Sequence, residues 1–133
     1  MASPGVRAFR ATRFYMAWSA LVALTGGLVM LVDPALYRSG AYDWVRNIMP
    51  LKAWGVLWII VAVACALNTR ELTLKRLQVA VGLVVLIHLF WAISIFTLTF
   101  QRHEGAFLGA FAWLDSIFWG LTALWTVRPW VRR

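Results

Sequence analysis

The chain has 133 residues, 62% of them hydrophobic and 14% charged, with a net charge of +8. A soluble domain is nearer half apolar and a quarter charged, and one this short cannot bury so much apolar surface. High hydrophobicity excludes intrinsic disorder, and a lone cysteine, Cys65, excludes a disulfide scaffold or a multi-cysteine metal site.

An all-α integral membrane protein remains, and its elements can be taken in chain order. The N-terminal segment is basic, with Arg7, Arg10 and Arg13. Charge-free residues 14–32 predict a first span. A signal peptide has a similar form, but its core is ~7–15 residues and a small-residue cleavage site follows it. Neither condition is met, so a retained helix is expected. Gly26 and Gly27 in this span permit close helix approach. The loop after Asp33-Pro34 holds Tyr37, Tyr42, Trp44, Val45, Ile48 and Met49. Trp44, Val45, Ile48 and Met49 share one helical face, which predicts a short helix over 41–49 lying in the outer interface. An irregular loop held by its aromatics is the alternative reading.

A second span is predicted over 53–69, with Cys65 as a small apolar packer. The link that follows carries Arg70, Lys75 and Arg76. The third span covers 77–100 and contains His88 and Gly82, which is likewise expected to permit close helix approach. A tight turn leads to a fourth span over 106–127, interrupted only by Asp115. The small-xxx-small pair Gly105 and Gly109 opens it, a weak signal for self-association. Crossing a bilayer takes ~20 residues, with ~17–25 workable, so all four qualify. Pro4, Pro34, Pro50 and Pro129 lie outside the spans, which leaves helical hydrogen bonding intact, as lipid requires. The expected fold is one all-α membrane domain, a four-helix bundle.

Charge sets the orientation. Arg7, Arg10, Arg13, Arg70, Lys75, Arg76, Arg128, Arg132 and Arg133 fall on one side. Arg38, Arg46, Lys52 and Arg102 fall on the other and are fewer. The positive-inside rule then puts both termini in the cytoplasm. The basic flank suits anionic lipid headgroups as partner, and its place at span ends argues against nucleic acid.

The chain has nine tryptophans. Trp18, Trp54, Trp125 and Trp130, near span ends, and Trp44 in the loop are expected as interfacial anchors. Trp58, Trp91, Trp113 and Trp119 lie deeper, where filling space in the bundle is the preferred reading over ligand stacking.

Two intramembrane polar residues stand out. A carboxylate at mid-span costs ~2.5–3.5 kcal/mol, so Asp115 is expected to face the bundle or a wet cavity. Ala112, Ser116, Trp119 and Thr122 surround it at helical spacing as a weakly polar stripe. At ~1.5 Å per residue, His88 lies about 18 Å below Phe100 and Asp115 about 13 Å below Ala106. The turn between spans three and four makes them neighbours, so a His88–Asp115 hydrogen bond is an open expectation. The pair could relay protons, line a pore, or act as polar glue between helices; glue is preferred. No Ser/His/Asp set, HExxH, phosphate loop or CxxC is present, and the adjacent His103 and Glu104 imply nothing by adjacency. No enzyme activity, cofactor or metal is expected.

The segment Asp33-Pro34, then Pro50-Leu51-Lys52-Ala53-Trp54-Gly55, resembles the holin-like four-pass membrane proteins of actinobacterial phages, over roughly residues 14–60. That resemblance implies a homo-oligomer that permeabilises or depolarises the inner membrane during lysis. It carries over no catalytic residues. The basic tail fits such a protein, although the second span, which from Ala53 to Leu67 has no polar side chain except Cys65, could not line a water-filled hole. Two other classes stay open: a non-pore accessory or prophage-exclusion protein, acting with another membrane protein, and a small proton-coupled carrier. The carrier has least support, because no unwound helix is signalled.

Overall fold

The structure, a computed structural model, describes residues 3–37, 43–102 and 107–131, and within them every side chain except those of 36, 95, 97–102 and 107–112. Every regular element among the described residues is helical: α1 (Pro4–Val32), α2 (Asp43–Ile48), α3 (Leu51–Arg70), α4 (Leu74–Arg102) and α5 (Phe107–Val127), with short 3₁₀ turns at Pro34–Tyr37 and Arg128–Trp130. Among the described residues three stretches are long and apolar enough to cross a membrane: Pro4–Val32, Leu51–Arg70 and Leu74–Ser94.

Helix α1 begins ten residues before the expected span, with Pro4 against the predicted 14. Ser3 caps it, its Oγ accepting from the Val6 N–H at 3.4 Å, and Pro4 occupies the first turn, where its missing N–H costs nothing. The basic segment is therefore helical, with Arg7, Arg10 and Arg13 exposed along it. At the far end the Asp33 carboxylate accepts from the Ala35 N–H at 3.2 Å, an Asx turn that starts the 3₁₀ turn. Pro50 caps α3. Only Glu71, Leu72 and Thr73 separate α3 from α4, and this turn is tied by Glu71–Arg76 at 2.6 Å. Asn68 adds to it, its amide donating to Ala64 O at 2.9 Å and Arg76 O at 3.3 Å.

Burial follows helical seams. Beyond Gly5 in the first turn, the buried residues of α1 are Thr12, Met16, Ser19, Ala23, Gly27 and Met30; on α3 they are Trp54, Gly55, Trp58, Val61, Ala62, Cys65 and Asn68. Both repeat at three and four residues, the spacing of one helix face. Helix α1 packs along α3 and against α5, α3 packs on α4, and α4 on α5. Large apolar side chains point the other way: Phe14 is 74% exposed, Val32 81% and Trp125 75%. Leu24, Ile60, Val63, Leu86, Phe118 and Leu121 are exposed as well. Water would penalise such a surface by ~25 cal/mol per Å², whereas lipid does not.

The short loop helix is present as Asp43–Ile48, with Asp43 and Arg46 paired along it. It is docked on the longer helices through Val45, which is fully buried, and rests against α4. Gly82, expected to permit close helix approach, instead faces open space. Arg38, Tyr42, His103, Glu104, Gly105, Arg132 and Arg133 lie outside the described residues, as do the side chains of Arg102 and Ala112.

Candidate functional site

Two places carry the polar and aromatic residues that the sequence singles out. One is the inside of the helix assembly around His88. The other is the outward face of α5 around Asp115.

His88 is 5% exposed and sits among indole rings. Its ring centroid is 4.9 Å from Trp113 and 5.5 Å from Trp58, with Trp58 in turn 5.8 Å from Trp91 and 5.6 Å from Trp113. Most of these pairs meet edge to face, the favoured arrangement for rings with a quadrupole. Tyr37, from the 3₁₀ turn, extends the cluster with its ring 5.5 Å from Trp91. The expectation that deep tryptophans pack inside holds for Trp58 and Trp91 and partly for Trp113. It does not hold for Trp119, which is 55% exposed.

Two cavities adjoin this cluster. The larger, about 430 Å³, lies between α1 and the rings of Tyr37, Trp58, Trp91 and Trp113. The smaller, about 180 Å³, is lined by Trp18, Ser19, Val22, His88, Trp113 and Ser116. Trp18, Val22 and Trp113 are walls of both. Ser116 also belongs to the α1–α5 contact: the Tyr15 hydroxyl donates to its carbonyl at 2.8 Å.

His88 and Asp115 do not meet. The His88 Nδ1–H donates to Val84 O at 2.7 Å, one turn back on its own helix. Asp115 is exposed on the outside of α5. Depth along the helices put the two residues at similar levels, but azimuth separates them. Trp113 and Ser116 turn inward to the cavities, and Asp115 lies about 200° from the first and about 100° from the second on a 3.6-residue helix. Asp115, Trp119 and Thr122 do share a face, and that face looks outward, with Thr122 half-buried at its edge. Phe118 and Trp125 flank it, both exposed. The expectation that Asp115 faces the interior of its own chain is thus corrected. His88 as hydrogen-bonded glue between helices is corrected likewise, since its hydrogen bond stays within α4.

The aromatic anchors divide. Trp125 is 75% exposed and Trp130 54%, placements open to an interface. Trp54 is 3% exposed, and its indole N–H donates to Val45 O at 2.8 Å. It locks α2 onto α3. Trp44 is half-buried, stacked on Phe90 with centroids 5.7 Å apart. The basic residues Arg7, Arg10, Arg13, Arg70, Lys75, Arg76 and Arg128 are all exposed. Several gather at one end of the molecule: Arg13 reaches Arg70 O at 3.5 Å, and the Trp130 ring packs on Gly5.

The residues behind the likeness to phage proteins all have folding roles. Asp33 and Pro34 make the turn after α1, Pro50 caps α3, Trp54 holds Val45, and Gly55 meets α1. Among the described residues no cluster of three or more His, Cys, Asp or Glu could hold a metal ion. Comparison with family models, curated proteins and solved structures finds no match, so the likeness to holin-like proteins rests on those residues alone.

Proposed function

We propose that this is a four-span inner-membrane protein that assembles with copies of itself through α5 and thereby permeabilises or depolarises the membrane, as a holin does. The observation that carries the reading is Asp115, an exposed carboxylate at the middle of α5. In lipid it would cost ~2.5–3.5 kcal/mol, a cost removed when a neighbouring copy or a water-filled hole covers it. In this reading α5 is the fourth span and the helices form a bundle. Both termini lie in the cytoplasm, which accords with the shared end of Arg13 and Arg70 and the positive-inside rule.

Among the described residues, large side chains block the middle of one copy. Trp58 and Trp91, each 1% exposed, fill its middle. A hole must form between copies, with the face of Asp115, Trp119 and Thr122 toward it. Induced expression in a bacterial host is expected to collapse membrane potential abruptly, and a co-expressed endolysin then to lyse the cells. Asp115→Leu should delay or abolish both effects. Intact potential and normal growth, with wild-type protein confirmed in the membrane, would sink the permeabilising reading.

The filled core also favours a second reading, a non-pore accessory or exclusion protein that uses the same α5 face to bind another membrane protein. Capture of a heterologous membrane partner that depends on Asp115, without depolarisation, distinguishes it. The carrier reading loses its proton relay, because His88 and Asp115 do not meet.

A further inference from the structure

We propose that the chamber around His88 binds a neutral, lipid-soluble aryl alcohol, a phenol or hydroquinone, with its hydroxyl on His88 Nε2 and its ring among the indoles. The inference is independent of permeabilisation and concerns the inside of a single copy.

The chemistry of the lining selects the ligand. A carbonyl only accepts, so the 2.7 Å contact to Val84 O fixes the proton of the neutral His88 ring on Nδ1. Nε2 then carries a lone pair. Among the described residues no donor reaches it, although the ring is 5% exposed and forms a wall of the smaller cavity. An acceptor in that position is matched by a ligand O–H. Ser19 and Ser116 line the same cavity, and a serine hydroxyl turned into it would donate to the ligand oxygen in return.

The rest of the chamber is apolar and aromatic except for Thr25, whose hydroxyl donates to Leu21 O at 2.9 Å. The larger cavity, at about 430 Å³, lies within the usual range of small-molecule sites, ~300–1,000 Å³. Its indole walls suit a flat ring stacked or edge-on. Among the described residues no charged one lines either cavity, so an organic cation would lack a counter-ion there and a carboxylate or phosphate would lack a cation. At the rim, Trp18 is 59% and Leu21 55% exposed, so the mouth opens through the side of the assembly. A ligand dissolved in lipid can enter there, leaving an alkyl tail outside.

The test uses the full-length protein in lipid nanodiscs and reads quenching of tryptophan fluorescence by 2-bromo-4-hexylphenol. Bromine quenches at short range, and 1-bromo-4-hexylbenzene has the same body without the hydroxyl. Saturable quenching by the phenol is expected, with the hydroxyl-free probe at least tenfold weaker. His88→Phe keeps an aromatic ring and removes Nε2, and should weaken the phenol about tenfold. Ser19→Ala with Ser116→Ala should weaken it several-fold. Equal, non-saturating quenching by both probes on the wild-type protein would overturn the proposal, as would unchanged phenol affinity in a folded His88→Phe protein. The probe comparison needs no variant, so it decides the matter even if His88→Phe fails to fold.

Discussion

Gly27 on α1 and Gly55 on α3 occupy each other's side-chain space. A Cβ on Gly27 would lie 2.8 Å from Gly55 O, and a Cβ on Gly55 would lie 3.0 Å from Gly27 O. Both clashes are with backbone, which no rotamer change relieves. The two backbones can come this near because neither residue has a side chain. Gly27→Ala or Gly55→Ala should therefore force the helices apart and destabilise the protein by ~1–3 kcal/mol, the usual range for overpacking. Gly26→Ala is the internal control, since its Cβ would meet the Trp58 ring at an ordinary 3.6 Å. Unfolding in mixed micelles measures all three. Equal stability of the Gly26 and Gly27 variants would remove the argument.

The α1–α5 contact has a similar lock, made of different parts. The Tyr15 hydroxyl donates to Ser116 O at 2.8 Å and would lie 2.7 Å from a Cβ on Gly120. Tyr15→Phe should cost ~0.5–1.5 kcal/mol, the net value of one hydrogen bond. Gly120→Ala displaces the hydroxyl and should lose that same bond. The two substitutions share one interaction, so the double variant should cost less than the sum of the singles. Additive losses would show that Gly120 and Tyr15 act separately.

Trp54 holds α2 in place through a single polar contact at a buried position. Trp54→Phe keeps the ring and removes the indole N–H from Val45 O, which keeps only the Met49 N–H at 3.3 Å. Losing that one hydrogen bond costs ~0.5–1.5 kcal/mol. Most of the loss should fall on α2, which has few other attachments, so amide exchange over Asp43–Ile48 should quicken while the middle of α3 stays protected. Uniform quickening across α3 would mean that Trp54 supports the whole assembly.

The helical segments were legible because charge, proline and apolar runs mark them with one-dimensional signals. The ends of α3 fell within two residues of the expected 53 and 69. The start of α1 was missed because arginine is a good helix former, and the charge that ends a span does not end a helix. The site was less legible. Residue counting gave depth for His88 and Asp115, but direction around α5 depends on which of Trp113, Asp115 and Ser116 faces in, and tertiary packing decides that. Trp54 read as an anchor because an indole near a span end suits either an interface or a buried acceptor. Only the position of Val45 O distinguishes them.

Topology can be tested apart from any function. Reporter fusions after Arg133 and near Ser39 should report opposite sides of the membrane, with Arg133 cytoplasmic, because the basic residues that retain their side lie with the termini. A cytoplasmic reporter near Ser39 would refute the orientation.

The last prediction concerns what covers Asp115. Its face on α5 includes Trp119, 55% exposed, one turn further along. If copies meet there, Trp119→Cys should cross-link between chains under mild oxidation. Cys65, the chain's own cysteine, is buried and stays out of the reaction. Leu28→Cys on α1 and Val63→Cys on α3 replace residues 48% and 54% exposed, and test whether any apolar surface would do. They should cross-link several-fold less. Adding Asp115→Leu to Trp119→Cys makes the helix easier to insert yet removes the group that a neighbour must satisfy, so dimer yield should fall several-fold. Asp115→Asn keeps a hydrogen-bonding group, and interhelical hydrogen bonds in membranes average ~0.6 kcal/mol and reach ~1–2 kcal/mol, so it should retain part of the assembly. Equal cross-linking at all three cysteine positions would assign contact to random collision. Unchanged Trp119→Cys dimers in the Asp115→Leu background would show that the carboxylate has no part in assembly.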